Sequence, residues 1–199
     1  MAYPTVDAPY GLLPVNLIGG QVFAGSTRMI PIATNSSTAI FYGDVVELNS
    51  NGTLDKETGT NVATPVGVFL GCTYTDPTFG KTFRQFYPGT TNITDVMAYV
   101  LDDPDALFKV AVVSSGTTIG FVNRTAVGNN SALVQNAGST ANGNSRVAIS
   151  ATTATASTLP VRIIDTVQET TTVGNPGSFT EVIVAWNAGM HQYRNPTGV

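Results

Sequence analysis

Residues 65–72 read Pro65-Val66-Gly67-Val68-Phe69-Leu70-Gly71-Cys72, eight consecutive positions without a charge. The run opens on a proline and holds two glycines, which argues against a helix, and it is short enough for a strand. A continuous apolar run of this length, rather than an alternating one, predicts a strand covered on both faces. Just upstream stands Tyr42-Gly43-Asp44-Val45-Val46-Glu47-Leu48, followed by the turn Asn49-Ser50-Asn51-Gly52. Asn-Gly favours a tight hairpin in which both central residues take positive φ, so strands are expected to pair across Asn51-Gly52.

The same punctuation continues in both directions. Short apolar segments at 22–23, 29–32, 39–42, 81–87, 96–100, 107–113, 118–122, 159–164 and 179–186 are bounded by Gly, Pro, Asn or Asp. That spacing predicts an all-β chain, a small β-barrel or a β-sandwich. The single helical turn expected is at 104–108, with Asp103 as its cap and Pro104 at its first position. Residues 126–157 are rich in Gly, Ser, Asn and Thr and are read as a long loop inserted into the β domain, with a weak strand at 146–149 and a short helix as an option at 151–157. The tail from 187 to 199 is expected to be irregular.

Residues 1–20 are read as an extended N-terminal arm, leaving 21–199 as one β domain. Pro4, Pro9 and Pro14 forbid a continuous helix there, yet Tyr3, Val6, Tyr10, Leu12, Leu13, Val15, Leu17 and Ile18 are apolar. An apolar extended strip seeks a groove, on its own domain or on a neighbouring subunit. Removing residues 2–18 is expected to abolish such a contact while leaving the domain folded.

Charged residues make up 11% of the chain, against roughly 25% in an average soluble domain, so Thr, Ser, Asn and Gly must coat the surface. With a net charge of -4, copies of such a protein repel one another weakly. The nine basic residues are scattered, which argues against nucleic acid as a partner. No secretory leader opens the sequence and no run of about 18 apolar residues occurs, which argues against a membrane and for a soluble product of cytoplasm.

No catalytic set, cofactor or metal site is expected. His191 is the one histidine and Cys72 the one cysteine, too few for the usual zinc ligand sets; His191 is read as a surface or interface residue of the tail. Asp102-Asp103-Pro104-Asp105 is the densest acidic cluster and is read as a capped turn, with calcium as the alternative. Phe69, Tyr74, Phe79, Phe83, Phe86, Tyr87, Tyr99 and Trp186 are read as core and interface anchors, with a sugar-stacking platform as the alternative. A hydrolase working with carboxylates alone is the remaining enzymatic reading.

The segment 42–48, the turn at Asn51-Gly52 and the return strand 65–71 resemble the "G-D-V-V … G-V … G" pattern of the small β proteins that decorate the heads of tailed bacteriophages. Tyr10-Gly11-Leu12-Leu13-Pro14-Val15-Asn16 and Asp102-Asp103-Pro104-Asp105-Ala106-Leu107-Phe108 look like virion proteins of marine and cyanobacterial phages. The resemblance spans roughly the first 120 residues. It implies a virion structural protein on the capsid surface, a decoration or cement protein that binds the phage major capsid protein and bridges neighbouring subunits, often as a homotrimer. The alternatives are another virion component, such as a head fibre base, neck or tail protein, and a host-glycan-binding adhesion module.

Overall fold

The computed structural model describes residues 8–90, 93–170 and 179–199. Among them run β1 (Leu13–Leu17), β2 (Arg28–Pro31), β3 (Val45–Leu48), β4 (Leu54–Lys56), β5 (Gly67–Asp76), β6 (Gly80–Arg84) and β7 (Met97–Leu101). There follow β8 (Ala106–Ser115), β9 (Thr118–Ile119), β10 (Asn130–Val134), β11 (Ala148–Ala154), β12 (Val161–Thr166) and β13 (Glu181–Trp186). The fold is all-β, and among the described residues the helical elements are short 3-10 turns at Arg124–Ala126, Gln168–Thr170 and Gln192–Arg194. Among the described residues no helix is long and apolar enough to cross a membrane.

Strand β8 organises the first sheet. It pairs antiparallel with β13 and parallel with β11, and the order β8-β11-β10-β12-β13 returns to β8, closing a five-stranded barrel. The first half of β8 also carries β1, and its far end carries β9. The second sheet runs β2-β7-β5-β3-β4 with β6 on the free part of β5, and a bridge between Ile32 and Leu54 ties its two ends together.

The apolar run that opens into β5 is covered on both faces. Val68 packs into the barrel cluster with Phe108, Val184 and Trp186, whereas Val66, Phe69 and Cys72 face the second cluster with Ile30, Leu54 and Val100. Val45 and Val46, and Leu101 and Val100, divide between the two clusters in the same way, as the two-residue period of a strand requires. Each such Val, Leu or Phe contributes about 1.5–3 kcal/mol on burial.

The hairpin across Asn51-Gly52 forms, with Leu48 opposite Leu54. Its turn differs from the tight two-residue type: Gly52 alone takes positive φ, at 72°. Asn49 spreads its side-chain oxygen over the N–H groups of Asn51 and Thr53, and Gly52 N–H donates to the Asn49 carbonyl at 2.9 Å. A wider turn closed by a left-handed glycine satisfies the right-handed twist of the strands equally well.

Asp44 explains why Gly43-Asp44 precedes β3. Fully buried, it accepts hydrogen bonds from Phe41 N–H at 2.9 Å and Ser145 Oγ at 2.5 Å and pairs with Lys56 Nζ at 2.9 Å. The N-terminal segment crosses at the same point, where a Cβ on Gly11 would stand 2.6 Å from the Gly43 carbonyl oxygen and 2.7 Å from Ser145 Cβ.

Four expectations are revised: that residues 2–18 are removable from a folded domain, the loop at 126–157, the helix option at 151–157 and the helical turn at 104–108. Of the two grooves open to the arm, residues from Tyr10 onward take the one on their own domain: Leu12 is fully buried, β1 pairs with β8, and Tyr10 O–H donates to Glu181. Pro14 is accommodated because β1 lies at a sheet margin and its register shifts between Pro14 and Leu17. Removal of residues 2–18 therefore cuts into the core. The span 126–157 is not a surface loop, since β10 and β11 supply two staves of the barrel and Leu133, Val147 and Ile149 face its core. Residues 148–154 are strand, not helix. The turn at 104–105 is not helical either: Asp103 accepts the Asp105 N–H at 2.8 Å, and β8 begins at Ala106.

Candidate interaction surface

The side of the second sheet that faces the barrel has two halves. At one end Val45, Val68 and Leu101 are pressed against the barrel. Beyond the barrel's edge the same face continues through Tyr99 and Met97 on β7, two and four residues before Leu101. Met29 pairs with Tyr99 and Pro31 with Met97 across β2 and β7, and side chains directly opposite in a ladder share a face. On the other side of β7, Gly71 and Thr73 of β5 stand opposite Tyr99 and Met97, and Thr73 pairs onward with Phe83 of β6.

Phe83 leans over Gly71 onto Tyr99, with ring centroids 5.7 Å apart. Gly71 makes that possible: its φ is 137°, and a Cβ there would stand 2.9 Å from Phe83 Cζ. Met29 is 48% exposed and Phe83 63%, Pro31 is exposed, and Met97 and Tyr99 are half-buried. At the tip of the same β5–β6 hairpin Phe79 is 73% exposed, where Asp76 fixes the turn by accepting the N–H groups of Thr78 and Phe79. The result is a row of apolar side chains on β2, β7 and β6, passing over Gly71 and Thr73 of β5, beside a covered half of the same face.

The C-terminal segment forms one rim of this row. Gln192 pairs its side-chain amide with both backbone groups of Leu48, at 2.8 and 3.0 Å, and its N–H donates to the Pro65 carbonyl at 2.9 Å. Tyr193 O–H donates to Asp102 at 2.9 Å, Arg194 pairs with Asp105 at 2.8 Å, and Arg28 pairs with Asp102 at 2.8 Å while lying over the Tyr193 ring. Burial and the bond to Asp102 push the Tyr193 phenol up to about 12. The acidic cluster is thus consumed: Asp102 and Asp105 hold the segment, and Asp103 shapes the turn.

His191 is not a surface residue. It is 1% exposed and packs beside Trp186 and Tyr193. Cys72 is buried in the second core, and burial pushes its thiol up to about 12, the opposite of an activated nucleophile. Among the described residues no group of three or more His, Cys, Asp or Glu is placed to hold a metal ion.

Of the apolar residues assigned to the arm, Tyr3 and Val6 lie outside the described residues. Leu12 is buried; Tyr10, Leu13 and Leu17 are half-buried against the body; Val15 and Ile18 are exposed at 39% and 52%. The aromatics divide too: Phe69, Tyr74 and Tyr87 are core and Trp186 faces the barrel interior, whereas Phe79 and Phe83 point outward. Sequence reasoning missed Met29, Pro31 and Met97. Their signal was the two-residue period of β2 and β7, which sets them opposite the inward Ile30, Ala98 and Val100. Comparison of the chain with protein-family models, with curated proteins and with solved structures gives no match.

Proposed function

We propose that this chain is a structural protein of a tailed-bacteriophage virion that binds the outer surface of the capsid and cements neighbouring major capsid subunits, acting as a homo-oligomer with a trimer favoured. The observation that carries the reading is the uncovered half-face of Met29, Pro31, Met97, Tyr99 and Phe83 on a body of low charge. Side chains of this kind anchor protein interfaces, and the polar rim of Arg28, Asp102 and Tyr193 beside them suits the edge of one. Modest affinity per copy suffices when many copies dock on a repeating shell. The consumed acidic cluster, the buried histidine and the inert thiol are consistent with a binding role.

The test is co-sedimentation of the purified protein with emptied phage heads stripped of it, alongside its mass in solution. Saturable binding of the wild type, and at least tenfold weaker binding by the Met29→Lys, Phe83→Lys double variant with unchanged far-UV circular dichroism, is the expected result. Absence of binding to heads sinks the proposal, and retention on a glycan array would transfer the same face to host adhesion.

A further inference from the structure

The C-terminal segment reaches both sheets, and a single neutral imidazole starts it. His191 caps the 3-10 turn Gln192–Arg194: its Nδ1 accepts the Tyr193 N–H at 3.2 Å. An imidazole accepts a hydrogen bond only while that nitrogen carries no proton, so in this tautomer the proton is on Nε2. Nε2 is buried without a hydrogen-bond partner, as is Trp186 Nε1 beside it. With Nε2 already protonated, a second proton must go to Nδ1, where it would point at the Tyr193 N–H that this nitrogen now accepts.

We propose that the C-terminal segment is an acid-released clasp, in which protonation of His191 turns its capping acceptor into a donor and frees residues 192–199 from Leu48, Pro65, Asp102 and Asp105. The inference does not rest on the capsid reading. Burial holds the imidazole pKa below its ordinary value, while the Val66 backbone and the carboxylates of Asp102 and Asp103 oppose that shift and Arg194 adds to it. From the barrel side the neighbour is the Trp186 ring, which brings no charge.

The sign follows from linkage. An open segment binds the proton at the ordinary histidine value near 6.5, whereas the closed one binds it only at lower pH. Closure is therefore complete above that value and weakens as pH falls through the interval, by at most about tenfold in the opening equilibrium for each pH unit. Glu47, next to Leu48, titrates in the same range with the opposite sign, because its carboxyl is raised to about 7.

Hydrogen exchange of the 187–199 peptide, measured by mass spectrometry between pH 7.5 and 5.0 and corrected for the intrinsic pH dependence of exchange, reads the opening directly. In the wild type protection should fall as pH drops below 6.5, by at most about tenfold per pH unit. His191→Asn keeps a capping oxygen that does not titrate, and should stay closed with no such slope. His191→Ala should be open throughout, also without slope. Glu47 is present in all three proteins and cancels only in the difference between their profiles, which is therefore what the test reads. A His191→Asn profile that reproduces the wild-type one, whatever its slope, overturns the proposal.

Discussion

Glu47 stands opposite Asp55 in the β3–β4 ladder and close to Glu57. Partial burial is the largest cause of its raised pKa, and the two neighbouring carboxylates and a hydrogen bond to Glu57 add to it, bringing the group to about 7. A carboxyl whose folded pKa exceeds its unfolded one gives stability that is fully present below about 4.5 and lost as pH rises through about 7. Glu47→Gln removes the charge while keeping hydrogen-bonding capacity. Discounted for solvent screening to about 1 kcal/mol, the change should raise Tm by roughly 2–4 °C at pH 8 and have little effect at pH 5. Thermal melts at the two pH values check it, and an equal shift at both would assign the effect to packing instead.

At the scale of elements, β1 is the consequence of Tyr10, Leu12 and Leu17 finding partners on their own chain. Deleting residues 2–7 should leave Tm unchanged, because β1 and the Tyr10–Glu181 contact remain. Deleting 2–18 removes Leu12, whose truncation alone costs about 2–5 kcal/mol, together with an entire strand, and should abolish the cooperative melt of a protein with about 5–15 kcal/mol in hand. A folded 2–18 deletion would restore the independent arm. The strands with large apolar residues were legible because pattern and propensity agreed: 29–32, 45–48, 65–72 and 107–113 fall on β2, β3, β5 and β8. The strand β10 was not, and of β11 only the start was, in the weak strand read at 146–149. Asn130, Ser131, Ser150, Thr152 and Thr153 are loop-like in isolation, and they become strand because β8 and β12 present ladders on either side. The apolar row was half legible for a related reason. Phe83 and Tyr99 are anchors by residue type, whereas Met29 and Pro31 acquire meaning only from the register of β2 on β7.

The two larger cores of the molecule are not separable by a cut in the chain. Strands β3, β5 and β7 each send neighbouring residues to opposite clusters, Val45 and Val46, Val68 and Phe69, Val100 and Leu101, so loss of the barrel uncovers one face of the second sheet. That coupling predicts one unfolding transition, and the chain carries its own reporters. Trp186, the one tryptophan, lies in the barrel cluster, and Cys72, the one cysteine, lies in the other. The Cys72 thiol is protected twice, by burial from the reagent and by a pKa of about 12 from forming thiolate at pH 8. In urea at pH 8, the midpoint of Trp186 fluorescence and the midpoint at which Cys72 becomes reactive should coincide, as two-state unfolding demands of any two probes. Reaction of Cys72 at clearly lower urea would make the second sheet a unit of its own, able to open while the barrel holds. A face that opened so easily would be a poor anchor on a shell, so coincident midpoints are also what a cementing role requires of Met29, Tyr99 and Phe83.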